Sequence, residues 1–234
     1  MINRDELKRA AALRAIEEVE DGMVIGLGTG STAAFVVEGL ALRVAQGLRV
    51  VGIPTSERTA TQARRLGISI ATFAEHQRLD LTIDGADEVQ LGTLDLIKGL
   101  GGALLREKIV AAASDRLVIV VDQEKLVEQL GEHTPVPVEV TPFGWQATAV
   151  SLARLGCAPE RRYTVGEQPY VTDGGNFILD CRFGPLADPR ALEKSIALTV
   201  GTVESGLFVQ RSSMVVVASL TGVEVLTPPT SKRT

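Results

Sequence analysis

Residues 96–108 read LIKGLGGALLREK and bring a cation, a bare backbone and a carboxylate within one short stretch. Lys98 closes an apolar run. Gly99, Leu100, Gly101 and Gly102 follow, and Glu107 stands one turn inside an expected helix, ALLREKIVAAAS (103–114). That helix sets Leu105, Ile109, Ala112 and Ala113 on one face, and Glu107 lies among Ala103, Val110 and Ala111 on the other. A helix apolar on nearly all sides is a buried one. Burial raises a carboxylate's pKa and makes it a better base near neutral pH. An ion pair of Glu107 with Arg106, Lys108 or Lys98 is the structural alternative. Abstracting a proton next to a carbonyl needs a base on the carbon and positive charge on the developing oxyanion. Glu107 can supply the first; Lys98 and the amides of residues 99–102 can supply the second.

Other strand-to-helix loops carry polar groups of matching use. In GLGTGST (26–32) no lysine precedes the hydroxyl residues, so it is not a Walker loop. A dinucleotide fingerprint wants glycine where Ser31 sits and an acid after the next strand, which ends VGIPTS. What remains is a small phosphate site of amides and hydroxyls at Thr29, Gly30, Ser31 and Thr32, or a tight turn with Ser31 as N-cap. In IDGADEV (83–89), Asp84 and Asp87 flank Gly85 and Ala86. Carboxylates there can accept sugar hydroxyls or shuttle protons, or simply form a turn. In PTSERT (54–59), Thr55 or Ser56 reads as a helix cap. VVDQEK (120–125) offers Asp122 and Lys125, the latter a solvated lysine or a phosphate contact.

The elements that must hold these loops follow from periodicity. Helical patterns at 5–21 (with Asn3 as cap), 31–46, 56–67 and 103–114 alternate with apolar runs at 23–28, 48–53, 68–73, 79–84, 94–99 and 116–122. Strands apolar throughout and linked by helices imply a mostly parallel sheet covered by helices on both faces, a Rossmann-like α/β domain. Ligands of such sheets sit beyond the carboxyl ends of the strands, where these loops lie. GEHTPVPVEVTPFG (131–144) marks a boundary by its prolines. Beyond it the rhythm is strand (136–140), helix (144–155), strand (161–165), a hairpin turning at DGGN, helix (188–198) and strand (202–209). That βαββαβ order predicts a smaller α+β, ferredoxin-like domain. The expected organisation is a catalytic domain over 1–130, a lid and oligomerisation domain over 131–207, and strands over 208–234 returning to the first sheet, with TPPTSKRT a frayed tail.

Composition narrows the chemistry. A net charge of −5 leaves no basic footprint for nucleic acid. No apolar run approaches a membrane span, and the charged start MINRDELKRA is not a secretory signal, so the chain is expected in the cytoplasm. Two cysteines, Cys157 and Cys181, are too few for a disulfide framework or a zinc cluster and read as buried small hydrophobes. Two histidines, His76 and His133, sit among polar, turn-like neighbours, so carboxylates and lysines are left to move protons. No nucleotide, flavin or metal signal appears; no cofactor is expected.

Taken together, GLGTGSTA, TIDGADEV, LIKGLGGALLREK, PVPVEVTPFG and VTDGGNFILD closely resemble the type A ribose-5-phosphate isomerases, in order from DELKRAA to MVVVAS. The resemblance implies an aldose–ketose isomerase that interconverts ribose 5-phosphate and ribulose 5-phosphate without a metal, through an enediol(ate). It further implies a homodimer or homotetramer. Glu107 would be the proton acceptor. Lys98, Gly99, Leu100 and Gly101 would contact substrate, and Asp84 and Asp87 would bind hydroxyls, with Asp84 able to assist ring opening. Residues 29–32 would line the same site, and Lys125 and Lys8 would reach the ligand. Leu100 departs from the family, which often has glycine there. Sugar-phosphate lactonases and amino-sugar deaminases use similar scaffolds, but the latter need a well-placed histidine. A non-enzymatic sugar-phosphate-sensing domain is the other alternative; it has no need of Glu107.

Overall fold

The computed structural model describes residues 4–229, so Asn3 and the end of the TPPTSKRT tail lie outside it. In chain order its elements are α1 (Arg4–Ala15), β1 (Val24–Leu27), α2 (Ser31–Ala45), β2 (Val51–Pro54), α3 (Glu57–Arg65), β3 (Ser69–Ile70), β4 (Leu79–Asp84), β5 (Glu88–Gln90), β6 (Leu96–Ile97), α4 (Leu104–Ala112), β7 (Ser114–Asp122) and β8 (Leu126–Val127). There follow β9 (Val136–Val140), α5 (Trp145–Ala153), β10 (Ala158–Arg161), β11 (Phe177–Arg182), α6 (Pro189–Ala197), β12 (Thr202–Ser205), β13 (Leu207–Phe208), β14 (Met214–Ser219) and β15 (Gly222–Leu226).

The main sheet has the order β15-β14-β7-β4-β1-β2-β3, parallel except for β15. From β1 the chain winds outward to β2 and β3, then returns to β4 on the other side of β1 and proceeds to β7 and β14. The reversal of winding between β1 and β4 opens a crevice at their carboxyl ends. Alternate residues of each strand serve opposite faces. Val118 and Val120 of β7, with Leu81 and Ile83 of β4, pack under α1 and α2. Leu117, Ile119 and Val121 face the other way, onto Val89, Leu96 and Phe208. That second face is covered by α4 and by a small sheet of order β13-β6-β5-β8.

The small sheet differs from the sequence reading. LDLIKG (94–99) was expected as another parallel strand, but only Leu96 and Ile97 are extended, and they pair antiparallel with β5. The chain reverses through a tight turn in which Leu94 takes a left-handed φ of 57° and bonds back to Gln90 O. The single strand expected over 202–209 is also broken. Gly206 stands so close to Lys98 that an added Cβ would lie 2.1 Å from the Lys98 carbonyl oxygen. The break hands the chain from β12 to β13 and fixes Lys98 through its N–H to Gly206 O at 2.8 Å.

Strands β9 to β12 form the second unit, order β10-β11-β9-β12 and antiparallel throughout, with α5 and α6 in the crossovers. This is the ferredoxin-like arrangement. The run after DGGN is β11, as expected, but it pairs with β10 rather than with the run just before DGGN. Residues 162–176 form a long connection, with one isolated bridge between Tyr163 and Pro169. The two units meet at buried Glu88, whose carboxylate accepts the N–H groups of Gly131, His133 and Thr134 at 2.6–2.8 Å. Among the described residues no helix is long and apolar enough to cross a membrane.

Candidate active site

A pocket of about 190 Å³ opens at the β1/β4 crevice. The loop after β1 supplies Thr29 to Thr32, the loop after β4 supplies Gly85, Ala86 and Asp87, and the loop after β6 supplies Lys98, Gly99 and Gly101. Glu107 enters from α4, Lys125 from the turn after β7, and Lys8 from α1. Arg4, Val121 and Asp122 complete the wall; of these the sequence pointed only to Asp122, as a polar residue at a strand end, and gave it no ligand role. Asp122 caps a short turn by accepting Glu124 N–H, and Arg4 pairs with Glu124, so both brace the segment carrying Lys125. Their signal in the sequence is only nearness to a strand end or to the chain start.

Local chemistry explains why each loop has its shape. Gly30 caps α2 with φ 119°, a conformation costly for other residues, and offers no side-chain acceptor. Ser31 is therefore the first residue of α2 rather than its cap, and the first-turn amides remain open to an anion. Thr29 turns its hydroxyl away, into a buried cluster with Thr55 at 2.7 Å and Ser56 at 2.8 Å. Ser56 caps α3 by accepting Thr59 N–H, as expected of that segment. Gly28 lies against Asp84, where an added Cβ would stand 2.2 Å from Oδ1.

Three buried charges form the centre. Lys98 Nζ lies 2.9 Å from Asp84 Oδ2 and 3.3 Å from Glu107 Oε2, and donates to Gly85 O. Asp84 Oδ1 accepts the N–H groups of Thr29 at 3.0 Å and Gly85 at 2.8 Å. With both oxygens committed and 1% exposed, Asp84 sits behind the pocket wall and holds Lys98. Glu107 is 3% exposed, and its Oε2 meets no hydrogen-bond donor; the nearby ammonium is close enough for charge attraction but not aligned to donate. Burial pushes the Glu107 carboxyl up to about 8 despite Lys98, with Asp84 and Asp87 adding repulsion. Burial favours neutral Lys98, but the carboxylates of Asp84 and Glu107 outweigh it and raise its pKa. Asp87 is raised by burial, opposed by the Leu100 N–H and by Lys98, Lys125 and Arg162.

Helix α4 is buried along one side rather than on nearly all sides, and Glu107 lies within the buried side, as expected. Leu104, Glu107, Lys108 and Val110 point inward, and Ile109 is exposed. Of the alternative partners for Glu107, Lys108 binds Glu193 and Glu204, and Arg106 binds Glu57 and Asp173. Leu100 presents no side chain to the pocket; its N–H donates to Asp87 Oδ2 at 2.9 Å. That amide is therefore spent on holding the loop. Lys8 pairs with Asp5 at 3.6 Å, whereas Lys125 has no ion-pair partner among the described residues. His76 and His133 lie outside the pocket. Among the described residues no group of three or more His, Cys, Asp or Glu is placed to hold a metal ion.

The family model for ribose 5-phosphate isomerase A (phosphoriboisomerase A) matches residues 51–222. A ribose-5-phosphate isomerase A of Gloeobacter violaceus is 67% identical over 224 residues, covering 96% of this chain and 97% of the relative. Among solved structures, ribose 5-phosphate isomerase A of Methanocaldococcus jannaschii gives a TM-score of 0.92 at 40% identity, covering 96% of this chain and 100% of that one. A D-ribose-5-phosphate isomerase in complex with phospho-erythronic acid gives 0.94 at 38% identity, covering 97% and 100%.

Proposed function

This chain belongs to the ribose 5-phosphate isomerase A family, and from that premise we propose how its pocket carries out the reaction. The activity is the interconversion of D-ribose 5-phosphate and D-ribulose 5-phosphate. In the open-chain aldose, Glu107 takes the proton from C2. The electron pair moves into a C1–C2 double bond and charge appears on O1, facing the Lys98 ammonium. The O2 hydroxyl proton passes to O1, which moves the charge to O2, and return of the carbon-bound proton to C1 as the C2 carbonyl forms gives the ketose. Asp84 keeps Lys98 charged and in place, and Asp87 accepts a sugar hydroxyl. The phosphate lies at the open N-terminus of α2, with the ammonium groups of Lys8 and Lys125 at the rim.

The observation that carries this reading is the uncommitted Oε2 of a buried glutamate, 3.3 Å from an ammonium, on the wall of a sugar-sized pocket. A carboxylate so placed costs the fold stability, a cost typical of functional sites. A sugar-phosphate sensor has no use for it, which disfavours the non-enzymatic reading. The test is ribulose 5-phosphate formation from ribose 5-phosphate with a chelator present. Glu107→Gln should lower kcat by about 10²–10⁴-fold with little change in KM. Near-normal turnover of that variant would remove Glu107 from its role, and loss of wild-type activity to the chelator would contradict a metal-free reaction.

The reading extends to assembly as a homodimer or homotetramer. Phe143, Leu198 and Val200 stand exposed on the ferredoxin-like unit, at 94%, 75% and 91%, as subunit-contact residues would in an isolated protomer. Light scattering at micromolar concentration tests this; a monomer mass would refute it.

A further inference from the structure

The loop that carries Lys98 is also held from the second unit. Arg162, just after β10, reaches across and donates from Nη1 to Gly99 O at 2.8 Å and to Leu100 O at 3.1 Å. Its own geometry is fixed by Asp180 on β11, which accepts from Nε at 2.9 Å and pairs with Nη2. The Arg162 side chain is only 12% exposed, and its backbone is locked by N–H to Ile178 O and by Tyr170 N–H to its own carbonyl. One edge of the guanidinium is held by Asp180, and the remaining nitrogen, Nη1, serves two consecutive carbonyls.

In a trans peptide the C=O and the following N–H point to opposite sides. No peptide of the chain's described residues is cis. Drawing Gly99 O toward Arg162 therefore turns Leu100 N–H the other way, and that N–H is found on Asp87 Oδ2. By the same rule, drawing Leu100 O toward Arg162 turns Gly101 N–H away from the guanidinium. Gly101 lines the pocket, and among the described residues no acceptor meets its N–H. It is a donor left open beside Lys98.

We propose that Arg162 is a positioning residue for catalysis: its double contact with the Gly99 and Leu100 carbonyls aims the Gly101 amide at the oxygen that becomes negative in the enediolate. Asp180 sets the guanidinium, and Asp87 holds the loop from the opposite side. The proposal rests on the isomerase reading above and adds to it which amide of the 99–102 loop stays free for the oxyanion and the residue that orients it. A preorganised amide acts on charge that develops during the reaction, so its loss falls on kcat more than on KM.

The experiment uses the full chain and three variants: Arg162→Met, Arg162→Lys and Asp180→Asn. Removing one oxyanion donor outright costs roughly 10²–10³-fold in kcat. Misaiming it in Arg162→Met should cost about 10–100-fold, with KM for ribose 5-phosphate within about 3-fold of wild type. Arg162→Lys, which keeps a donor but loses the guanidinium that Asp180 holds in place, should recover part of the loss, and Asp180→Asn should fall between. Calorimetry separates aim from folding. Phospho-erythronic acid, whose carboxylate carries charge like that of the enediolate, should bind Arg162→Met at full stoichiometry but at least about 10-fold more weakly, while inorganic phosphate binds unchanged. Wild-type kcat and phospho-erythronate affinity in Arg162→Met would overturn the proposal, and so would a fall in binding stoichiometry that accounts for the whole loss of rate. If the wild-type protein itself made no ribulose 5-phosphate, the isomerase reading would fail instead, so the two failures are distinct.

Discussion

Replacing Lys98 by methionine keeps the buried stem and deletes the charge that balances Asp84 and Glu107. The Lys98–Glu107 separation is 3.3 Å. With an effective dielectric of about 20, Coulomb's law gives about 5 kcal/mol for such a pair, or roughly 3.5 pKa units on the carboxylate. The Glu107 carboxyl, already at about 8, should therefore rise by at least about two units. At pH 8 its ionised fraction would drop from about one half to about one in a hundred or less. The expected result is a fall in kcat/KM at pH 8 of at least about 50-fold, partly recovered toward pH 10, with the acid limb of the pH–rate profile displaced upward. The assay is ribulose 5-phosphate formation across pH 6–10, with circular dichroism confirming the fold at each point. A Lys98→Met enzyme whose acid limb stays at the wild-type pH would refute the reasoning, whatever its absolute rate.

Two further outcomes follow from the same centre. Gly28→Ala places a Cβ 2.2 Å from Asp84 Oδ1 and 2.6 Å from Asp84 Cα, so β1 and β4 must part; a loss of about 1–3 kcal/mol is expected in chemical denaturation, and an unchanged midpoint would contradict it. Glu107→Gln should stabilise the protein increasingly as pH rises. The folded carboxyl titrates near 8 against 4.5 for the unconstrained group. Between those values the native state holds a proton the unfolded chain has released, so wild-type stability falls with pH through this window. The difference in Tm between variant and wild type should grow from pH 5 to pH 9; a constant difference would mean that Glu107 is not held protonated by burial.

Much of the site was legible in the sequence because it is built from local signals. Glycine-rich loops at strand ends, the Asp84–Asp87 turn and Lys98 followed by a buried helix each announce themselves within a few residues. What was not legible depends on contacts between distant segments. Nothing near Arg162 marks it as the partner of carbonyls at 99 and 100, since an arginine beside a strand is usually a solvated surface charge. Gly206 gives no sign that it lets the chain pass against Lys98. The small sheet escaped because its strands are two or three residues long, too short for alternation to register. The burial of Lys108 and the exposure of Ile109 on α4 were not legible, because hydrophobic patterning expects the reverse; the carboxylates that compensate Lys108 come from the second unit.

The central claim is that one carboxyl group carries hydrogen between C1 and C2 of the sugar. Running the isomerisation in heavy water and following the C1 and C2 protons by NMR tests it most directly. The account predicts deuterium at C1 of the ribulose 5-phosphate formed, at no more than one atom per turnover. It also predicts that Glu107→Gln slows exchange and isomerisation together by about 10²–10⁴-fold. Exchange at the wild-type rate in Glu107→Gln, or deuterium entering both hydrogens at C1 in a single turnover, would contradict it.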